Sequence, residues 1–274
     1  MSTSASQAGD VVVHSDAAVL AAATAARLIT ALTDAQAARG SASVVLTGGG
    51  TGIAILEQMR RSPARDAVDW SRLDVFWGDE RFVPAGDPER NEKQAREALL
   101  DHVPVDPARV HAMAPSDGEF GDDPDAAAAA YAQALATAAE ATATATVATA
   151  GDVPAFDVML LGLGGEGHTA SIFPDTPAAH EAERSVVAVR DCPKPPPTRV
   201  SLTFPAIRRA TEVWLVTAGA AKADAVAAAH RGVGEVELPV AGARGTARTL
   251  WLLDTEAAAE LPWSQRVQEN HPQA

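Results

Sequence analysis

The stretch Val44-Val45-Leu46-Thr47-Gly48-Gly49-Gly50-Thr51-Gly52 decides the fold, because in it a short apolar run leads directly into a glycine-rich turn. The turn is followed by Ile53–Arg60, which is typical of a helix. An apolar run this short, with almost no polar position, suits a strand that is buried on both faces. Seven other short β-branched or leucine-rich runs occur along the chain: Val11–Val13, Leu73–Trp77, Phe156–Leu161, Ser185–Val189, Arg199–Thr203, Val213–Thr217 and Thr249–Leu253.

Longer stretches that favour helices lie between these runs. Ser15 and Asp16 can cap a helix that extends to about Ala38, and Gly40 can end it. Further helices are predicted over Gly52–Arg60, Asn91–Leu100, Asp123–Thr146 and Ala220–His230. Strands that alternate with helices indicate an α/β fold. We therefore predict a mostly parallel open sheet with helices on both faces, Rossmann-like and doubly wound, with a small additional strand/helix region.

The chain is expected to form one α/β domain over residues 1–262. Residues 126–150 are of low complexity, and the alternating threonines at their end weaken the helix propensity that alanine provides. Residues 141–154 are therefore predicted to be a surface linker within this domain. Residues 263–274 are predicted to be a flexible tail.

Net charge excludes two classes of partner. The 274 residues carry 22 Lys and Arg against 36 Asp and Glu, a net charge of −14, and the lysines are only Lys93, Lys194 and Lys222. Nucleic acids and anionic membranes both bind clustered basic side chains, which this chain lacks, so we predict neither partner. The single Cys192 cannot form an internal disulfide, and the first residues lack the features of a signal peptide. Because no apolar run approaches the ~18 residues needed to cross a bilayer, we predict a soluble cytoplasmic protein with a small-molecule or protein partner.

The turn from Thr47 to Gly52 has the features of a phosphate-binding loop. Its glycines let backbone N–H groups approach an anion, Thr51 adds a hydroxyl, and the following helix presents the positive end of its dipole. The lysine of a nucleotide-binding loop is missing, which favours a sugar phosphate over ATP. The structural alternative is an ordinary tight turn between a strand and a helix.

A second glycine-rich loop, residues 162–174 (GLGGEGHTASIFP), follows the strand predicted over Phe156–Leu161. It contains the spacing G-x-G-x-x-G, but Pro174 stops any helix within two turns, so we reject a dinucleotide site. The loop presents one carboxylate, Glu166, and one imidazole, His168. Histidine has the unperturbed pKa closest to neutrality, and a neighbouring carboxylate can fix its tautomer, so the pair suits proton transfer. The alternative is a histidine that only caps a short helix.

Charged residues stand at the ends of three other predicted strands. Asp79 and Arg81 lie in the polar loop predicted after Leu73–Trp77, and Arg199 opens the strand after a proline-rich segment. Lys222 lies at the start of a predicted helix, where the dipole disfavours a cation unless an anion lies between them. Ligands of open α/β sheets bind at the carboxyl ends of the strands, so the polar loops that follow the strands are the candidate places for a site. The alternative for each is an exposed surface charge.

Five segments together resemble the 6-phosphogluconolactonase family, and they span almost the whole chain. The segments are Leu46–Gly52 (LTGGGTG), Phe76–Pro84 (FWGDERFVP), Leu161–Pro174 (LGLGGEGHTASIFP), Thr198–Thr203 (TRVSLT) and Thr217–Ala223 (TAGAAKA). Three positions depart from the family pattern: Glu166 replaces the usual aspartate, Gly52 replaces a proline, and Arg90 stands where serine commonly precedes asparagine. Glucosamine-6-phosphate deaminases share the general plan, but the strings DERFVP and GHTASIFP look like the lactonase version.

The resemblance implies hydrolysis of 6-phospho-D-glucono-1,5-lactone to 6-phosphogluconate, the second step of the oxidative pentose phosphate pathway. It implies that His168 is the general base that activates water, that Glu166 orients His168, and that Asp79 faces the sugar ring or assists proton movement. It also implies that six residues bind the substrate and its phosphate: Gly49, Gly50, Thr51, Arg81, Arg199 and Lys222. Lys194 would be a contact at the rim of the site. We expect no metal, because the histidines show no ligand spacing, and no cofactor.

Two other functions stay open at this point. An amino-sugar phosphate isomerase or deaminase on the same fold would also need a carboxylate and a histidine beside a phosphate site. A sugar-phosphate sensor without enzymatic activity usually carries an attached DNA-binding segment, and this acidic chain shows no basic helix-turn-helix at either end. The sequence is compatible with a monomer or a small homo-oligomer.

Overall fold

The computed structural model describes residues 9–142 and 152–262. Its strands are β1 (Asp10–His14), β2 (Ala42–Leu46), β3 (Leu73–Trp77), β4 (Asp79–Arg81), β5 (Val158–Leu161), β6 (Val186–Val189), β7 (Arg199–Leu202), β8 (Glu212–Thr217) and β9 (Arg248–Asp254). Its α-helices are α1 (Ala17–Arg39), α2 (Gly49–Arg61), α3 (Asn91–Ala98), α4 (Pro124–Thr142), α5 (Phe204–Ile207) and α6 (Ala223–His230). Residues 143–151, in the predicted linker, and the predicted tail over residues 263–274 lie outside the described residues.

Six strands form a parallel sheet in the order β1-β9-β8-β5-β2-β3. Alternate residues of its central strands enter two separate apolar clusters: Val45 and Met159 lie in one, Val44 and Leu160 in the other. Helices α4 and α6 contribute to the first cluster, and α1 and α2 to the second. The sheet is therefore buried on both faces, which is why its strands are apolar at nearly every position. This confirms the predicted mostly parallel sheet with helices on both faces.

Helix α1 begins and ends where the sequence predicts. The side chain of Asp16 accepts a hydrogen bond from the Val19 backbone N–H at 2.9 Å, and Gly40 ends the helix with a φ of 81°. By length and composition alone α1 could cross a membrane. This differs from the expectation that no apolar run in the chain is long enough. The apolar side chains of α1, such as Leu20 and Leu28, are instead buried in the second apolar cluster, as in the core helix of a globular protein.

A second, three-stranded antiparallel sheet has the order β4-β7-β6, and it is the predicted small additional region. Strand β4 corrects the expectation that Asp79–Arg81 belongs to a loop, because it pairs Asp79 with Ser201 and Arg81 with Arg199. A strand with three charged residues is stable here because the middle one, Glu80, accepts hydrogen bonds from backbone N–H groups at the start of α3. This pairing carries Asp79 and Arg81 to the edge of the parallel sheet.

Two helix starts differ from the prediction, and both affect the site described below. Helix α2 begins at Gly49, so residues Gly49–Thr51 form its first turn instead of a loop before it. The helix can follow β2 this closely because Gly49 adopts a φ of 79°, which side chains disfavour. Helix α6 begins at Ala223 after a short 3-10 turn over Ala220–Lys222, so Lys222 directly precedes the helix.

Candidate active site

The loops at the carboxyl ends of β2, β3, β5 and β8 line one cleft of about 330 Å3. They meet because the carboxyl ends of parallel strands share one edge of the sheet. Eight of the nine predicted site residues line the cleft: Gly49, Gly50, Thr51, Asp79, Arg81, His168, Arg199 and Lys222. The ninth, Glu166, lies behind the lining and contacts His168.

The cleft is positively charged although the chain is acidic. Four cationic side chains line it, those of Arg81, Lys194, Arg199 and Lys222, against the single carboxylate of Asp79. The net charge of the whole chain is −14. A local excess of cations in a concave site attracts an anion even when the rest of the surface repels it.

The first turn of α2 forms one wall of the cleft. Its early backbone N–H groups have no acceptor within the helix, so they are available to an anion. A side chain at Gly52 would overlap the carbonyl oxygen of Thr47, so glycine is required for the chain to turn this tightly. Lys222 lines the same cleft from the start of α6. Burial and the neighbouring Lys194 ammonium lower the pKa of Lys222 below its usual value. An anionic ligand beside Lys222 would offset both effects, because it stabilises the charged ammonium.

His168 and Glu166 form a close pair in the loop after β5. Nδ1 of His168 lies 3.0 Å from Oε1 of Glu166, and the second carboxylate oxygen, Oε2, accepts a hydrogen bond from Lys194 Nζ at 2.9 Å. The imidazole also packs on the ring of Phe173, with the ring centroids 4.4 Å apart. Because Nδ1 faces the carboxylate, Nε2 is the nitrogen that remains for a substrate or a water.

The protonation states of this pair suit a base. Burial lowers the pKa of His168, and the Lys194 ammonium lowers it further, while the Glu166 carboxylate only partly offsets them. Burial alone would raise the pKa of Glu166, but its own backbone N–H, Lys194 and His168 outweigh this and lower it to about 2. At neutral pH the imidazole is therefore neutral and the carboxylate ionised.

The pair depends on the absence of a side chain at Gly164. A Cβ there would overlap His168 Nδ1 and would lie 2.7 Å from Glu166 Oε2. We expect Gly164→Ala to lower kcat/KM about a hundredfold, because displacement of a catalytic group by about 1 Å has effects of this size. Gly86→Ala is the control, since an added Cβ at this exposed glycine meets nothing within 4 Å. Unchanged kinetics in Gly164→Ala, with both variants folded by circular dichroism, would contradict this account of the loop.

Asp79 and Arg199 lie together at the border between the two sheets. Both are buried, and Arg199 Nη1 lies 3.8 Å from Asp79 Oδ2, which also accepts a hydrogen bond from Ser171 Oγ at 2.6 Å. Arg199 donates from Nε to the Pro196 carbonyl at 3.2 Å and from Nη2 to the Lys194 carbonyl at 3.0 Å. Most of its guanidinium group is thus bound to the proline-rich loop. This differs from the expectation that Arg199 is free to bind a phosphate.

Other polar residues in the lining were not among the predicted site residues. Asn91 lines the cleft from the first position of α3, and its Nδ2 donates to the Asp79 carbonyl at 2.8 Å. Lys194 was recognised from the sequence only as a rim contact, although it binds Glu166 directly. Its position between four prolines was the available signal, because a charged residue in a stiff segment is held in place.

Comparisons with known proteins agree with this geometry. Residues 15–251 match the family model described as glucosamine-6-phosphate isomerases/6-phosphogluconolactonase. The chain is 61% identical to the 6-phosphogluconolactonase of Streptomyces coelicolor over 92% of this chain and 95% of that protein. It is 52% identical to the 6-phosphogluconolactonase of Mycobacterium tuberculosis over 90% and 96% of the two chains. The solved structure of 6-phosphogluconolactonase from Trypanosoma brucei is 28% identical, with a TM-score of 0.77 and coverage of 93% and 99%. This chain belongs to the glucosamine-6-phosphate isomerase/6-phosphogluconolactonase family.

Proposed function

We propose that this protein hydrolyses 6-phospho-D-glucono-1,5-lactone to 6-phosphogluconate, as an enzyme of the pentose phosphate pathway. One observation carries the proposal: a neutral histidine paired with a carboxylate shares a cleft with a helix N-terminus and four cationic side chains. The first group suits the activation of water, and the second suits a phosphate. Relatives named 6-phosphogluconolactonase align with 90% or more of the chain at 52–61% identity, which supports the same activity here.

In this mechanism His168 is the general base. Nε2 takes a proton from a water molecule as the water oxygen attacks the lactone carbonyl carbon, and the carbonyl becomes a tetrahedral oxyanion. When the oxyanion collapses, the bond between the carbonyl carbon and the ring oxygen breaks, and the imidazolium returns the proton to that oxygen. Glu166, 3.0 Å from Nδ1, stabilises the imidazolium between the two steps. The new carboxylic acid loses its proton to water at neutral pH.

The cationic side chains and the first turn of α2 hold the substrate in this mechanism. The backbone N–H groups and the hydroxyl of residues Gly49–Thr51, together with Lys222, bind the 6-phosphate. Arg81 faces the same cleft and supplies further positive charge to the phosphate or the oxyanion. Arg199 contributes charge beside Asp79. In this proposal Asp79 accepts a hydrogen bond from a sugar hydroxyl or assists proton movement.

The two alternatives are not favoured. An amino-sugar phosphate deaminase and a sensor without activity would share the fold and the phosphate site. The named relatives at high identity are lactonases, and the sensor leaves the His168–Glu166 pair without a role. We propose that the enzyme acts in the cytoplasm, as a monomer or small homo-oligomer. The proposed reaction uses no metal or cofactor, and the proposal includes no nucleic-acid or membrane partner.

An assay on freshly generated lactone tests the function. The purified protein is added to 6-phosphogluconolactone, and 6-phosphogluconate is measured with its dehydrogenase after subtraction of the spontaneous rate. A parallel sample receives glucosamine 6-phosphate, and ammonia is measured. We expect lactone hydrolysis and no ammonia. Ammonia release without acceleration of lactone hydrolysis would overturn the proposal in favour of a deaminase.

The pH dependence provides a further prediction. Because burial and Lys194 lower the pKa of His168, the base form persists below pH 6.5, the ordinary value for histidine. We expect kcat/KM to be constant near pH 7 and to fall as pH drops through a single apparent pKa below 6.5. Initial rates in an indicator assay, corrected at each pH for spontaneous hydrolysis, give the profile. An acid limb with its midpoint above pH 7 would contradict the assignment of His168 as a neutral base.

A further inference from the structure

We propose that Lys194 is a positioning residue for the reaction: its ammonium group holds Glu166 against His168, and it keeps Nε2 of the imidazole directed to the substrate. This inference rests on the proposed function, since it concerns the base of that reaction. It adds to the predicted pair a third residue, which lies in the loop between β6 and β7 and 28 positions from Glu166 in the sequence.

The contacts of Glu166 show how the three residues are connected. Oε2 of Glu166 accepts a hydrogen bond from Lys194 Nζ at 2.9 Å, while Oε1 lies 3.0 Å from His168 Nδ1. The two oxygens of the Glu166 carboxylate thus face different partners, and the backbone N–H of Glu166 also contacts this carboxylate. A glutamate has three rotatable side-chain bonds, so one contact alone leaves its carboxylate free to turn away from the imidazole. The second contact, charge-assisted and short, removes that freedom.

The backbone of Lys194 is itself fixed. Lys194 lies in the loop between β6 and β7, where residues 193, 195, 196 and 197 are all proline. Arg199, which is only 5% exposed, donates hydrogen bonds to the Lys194 carbonyl at 3.0 Å and to the Pro196 carbonyl at 3.2 Å. The ammonium group therefore extends from an anchored position, although the Lys194 side chain is 49% exposed. Arg199 acts on the reaction through this loop.

The ion pair between Lys194 and Glu166 also connects the two sheets. Lys194 lies in the loop between two strands of the antiparallel sheet, β6 and β7, whereas Glu166 and His168 follow β5 of the parallel sheet. The cleft lies between the two loops, and Lys194 is part of its lining. The ion pair thus joins the two loops on the side of the cleft where His168 lies.

The charges that face His168 determine the expected effect of removing the ammonium group. These are the carboxylates of Glu166 and Asp79, which favour the imidazolium, and the ammonium of Lys194, which opposes it; the ring of Phe173 adds no charge. Lys222 faces Lys194 and Glu166 from the start of α6. Removal of the Lys194 charge ends its repulsion of the imidazolium and leaves the Glu166 carboxylate less neutralised. Both changes raise the pKa of His168.

Lys194→Met tests the proposal in the full-length protein, with Lys194→Gln as a second neutral variant and Lys194→Arg as the conservative one. Lys93→Met is the matched control, because Lys93 also forms an ion pair with a glutamate, Glu97, but on the exposed face of α3 outside the cleft. Two readouts are combined. One is the pH profile of kcat and KM for lactone hydrolysis, and the other is an NMR titration of the His168 imidazole without substrate.

We expect Lys194→Met and Lys194→Gln to lower kcat about tenfold, with KM changed less than about threefold, and to raise the midpoint of the acid limb by about half a pH unit. Lys194→Arg should restore most of kcat, and Lys93→Met should match the wild type. An unchanged kcat and an unchanged His168 titration in both neutral variants would overturn the proposal. The NMR titration also separates it from the proposed function: a wild type that leaves the lactone intact refutes the function, while a shifted His168 titration still supports the role of Lys194.

Discussion

Replacement of His168 by alanine is expected to lower kcat for lactone hydrolysis by about 100- to 10,000-fold, the usual contribution of a positioned general base. It should leave KM within a few-fold of the wild type, because the base contacts the attacking water and the phosphate is held elsewhere in the cleft. The physical reason is the loss of the neutral imidazole from the lining, since no other histidine among residues 9–142 and 152–262 lines this cleft. The rate must be corrected for spontaneous hydrolysis of the lactone, which sets the lowest activity that can be measured.

A control for this substitution is available within the chain. His230 is also a largely buried histidine, and burial lowers its pKa as well, but it lies at the end of α6 and packs on Trp251 with the ring centroids 5.0 Å apart. His230→Gln should retain wild-type kcat. If His168→Ala lost less than tenfold in kcat, His168 would not be the base.

Lys222→Ala is expected to raise KM for the phosphorylated lactone about 10- to 100-fold, the effect of losing one charge-assisted contact with a buried phosphate. For unphosphorylated glucono-1,5-lactone, KM should change by less than about threefold, because that substrate has no group for Lys222 to bind. Comparison of kcat and KM for the two substrates measures the difference directly. Equal effects on both substrates would remove Lys222 from the phosphate site.

Arg199→Ala provides a contrast to Lys222→Ala. The guanidinium group of Arg199 donates to the carbonyls of Lys194 and Pro196, so its loss releases the proline-rich loop together with the Lys194 ammonium. Hydrolysis of both lactones should therefore slow. A selective loss with the phosphorylated substrate would instead show that Arg199 acts mainly as a phosphate ligand.

Several features of the fold could be predicted because they depend on local physical chemistry. The run Val44–Leu46 before Thr47 is apolar at every position, and a strand in a sheet covered on both faces favours this pattern. Asp16 and Gly40 mark the ends of α1 because a cap and a left-handed terminus need only a few neighbouring residues. The glycines after β2 and β5 indicated two candidate site loops from local sequence alone. A backbone that approaches a ligand or another segment closely leaves no room for side chains, so it favours glycine.

Other features could not be predicted because they depend on pairing between distant segments. Strand β4 exists only because Asp79–Arg81 finds a partner in β7, about 120 residues later in the chain. These three charged residues show no local strand pattern, so the sequence predicted a loop at this position. Lys194 likewise lies 28 positions from Glu166 along the chain, and nothing near either residue indicates that they meet.

The fold class and the two glycine-rich loops could be predicted from the sequence, since strand–helix alternation and glycine turns depend on residues close together in the chain. The same loops contained His168, the candidate base. The partners of the charged side chains, by contrast, are set by the tertiary structure. It places Lys222 at the start of a helix in the cleft, commits Arg199 to the proline-rich loop, and brings Lys194 to Glu166. The physical reason is that the strength of a charge interaction depends on distance and burial, and both are set by the packing of segments far apart in the sequence. A chain with a net charge of −14 can thereby present a cationic cleft to an anionic substrate.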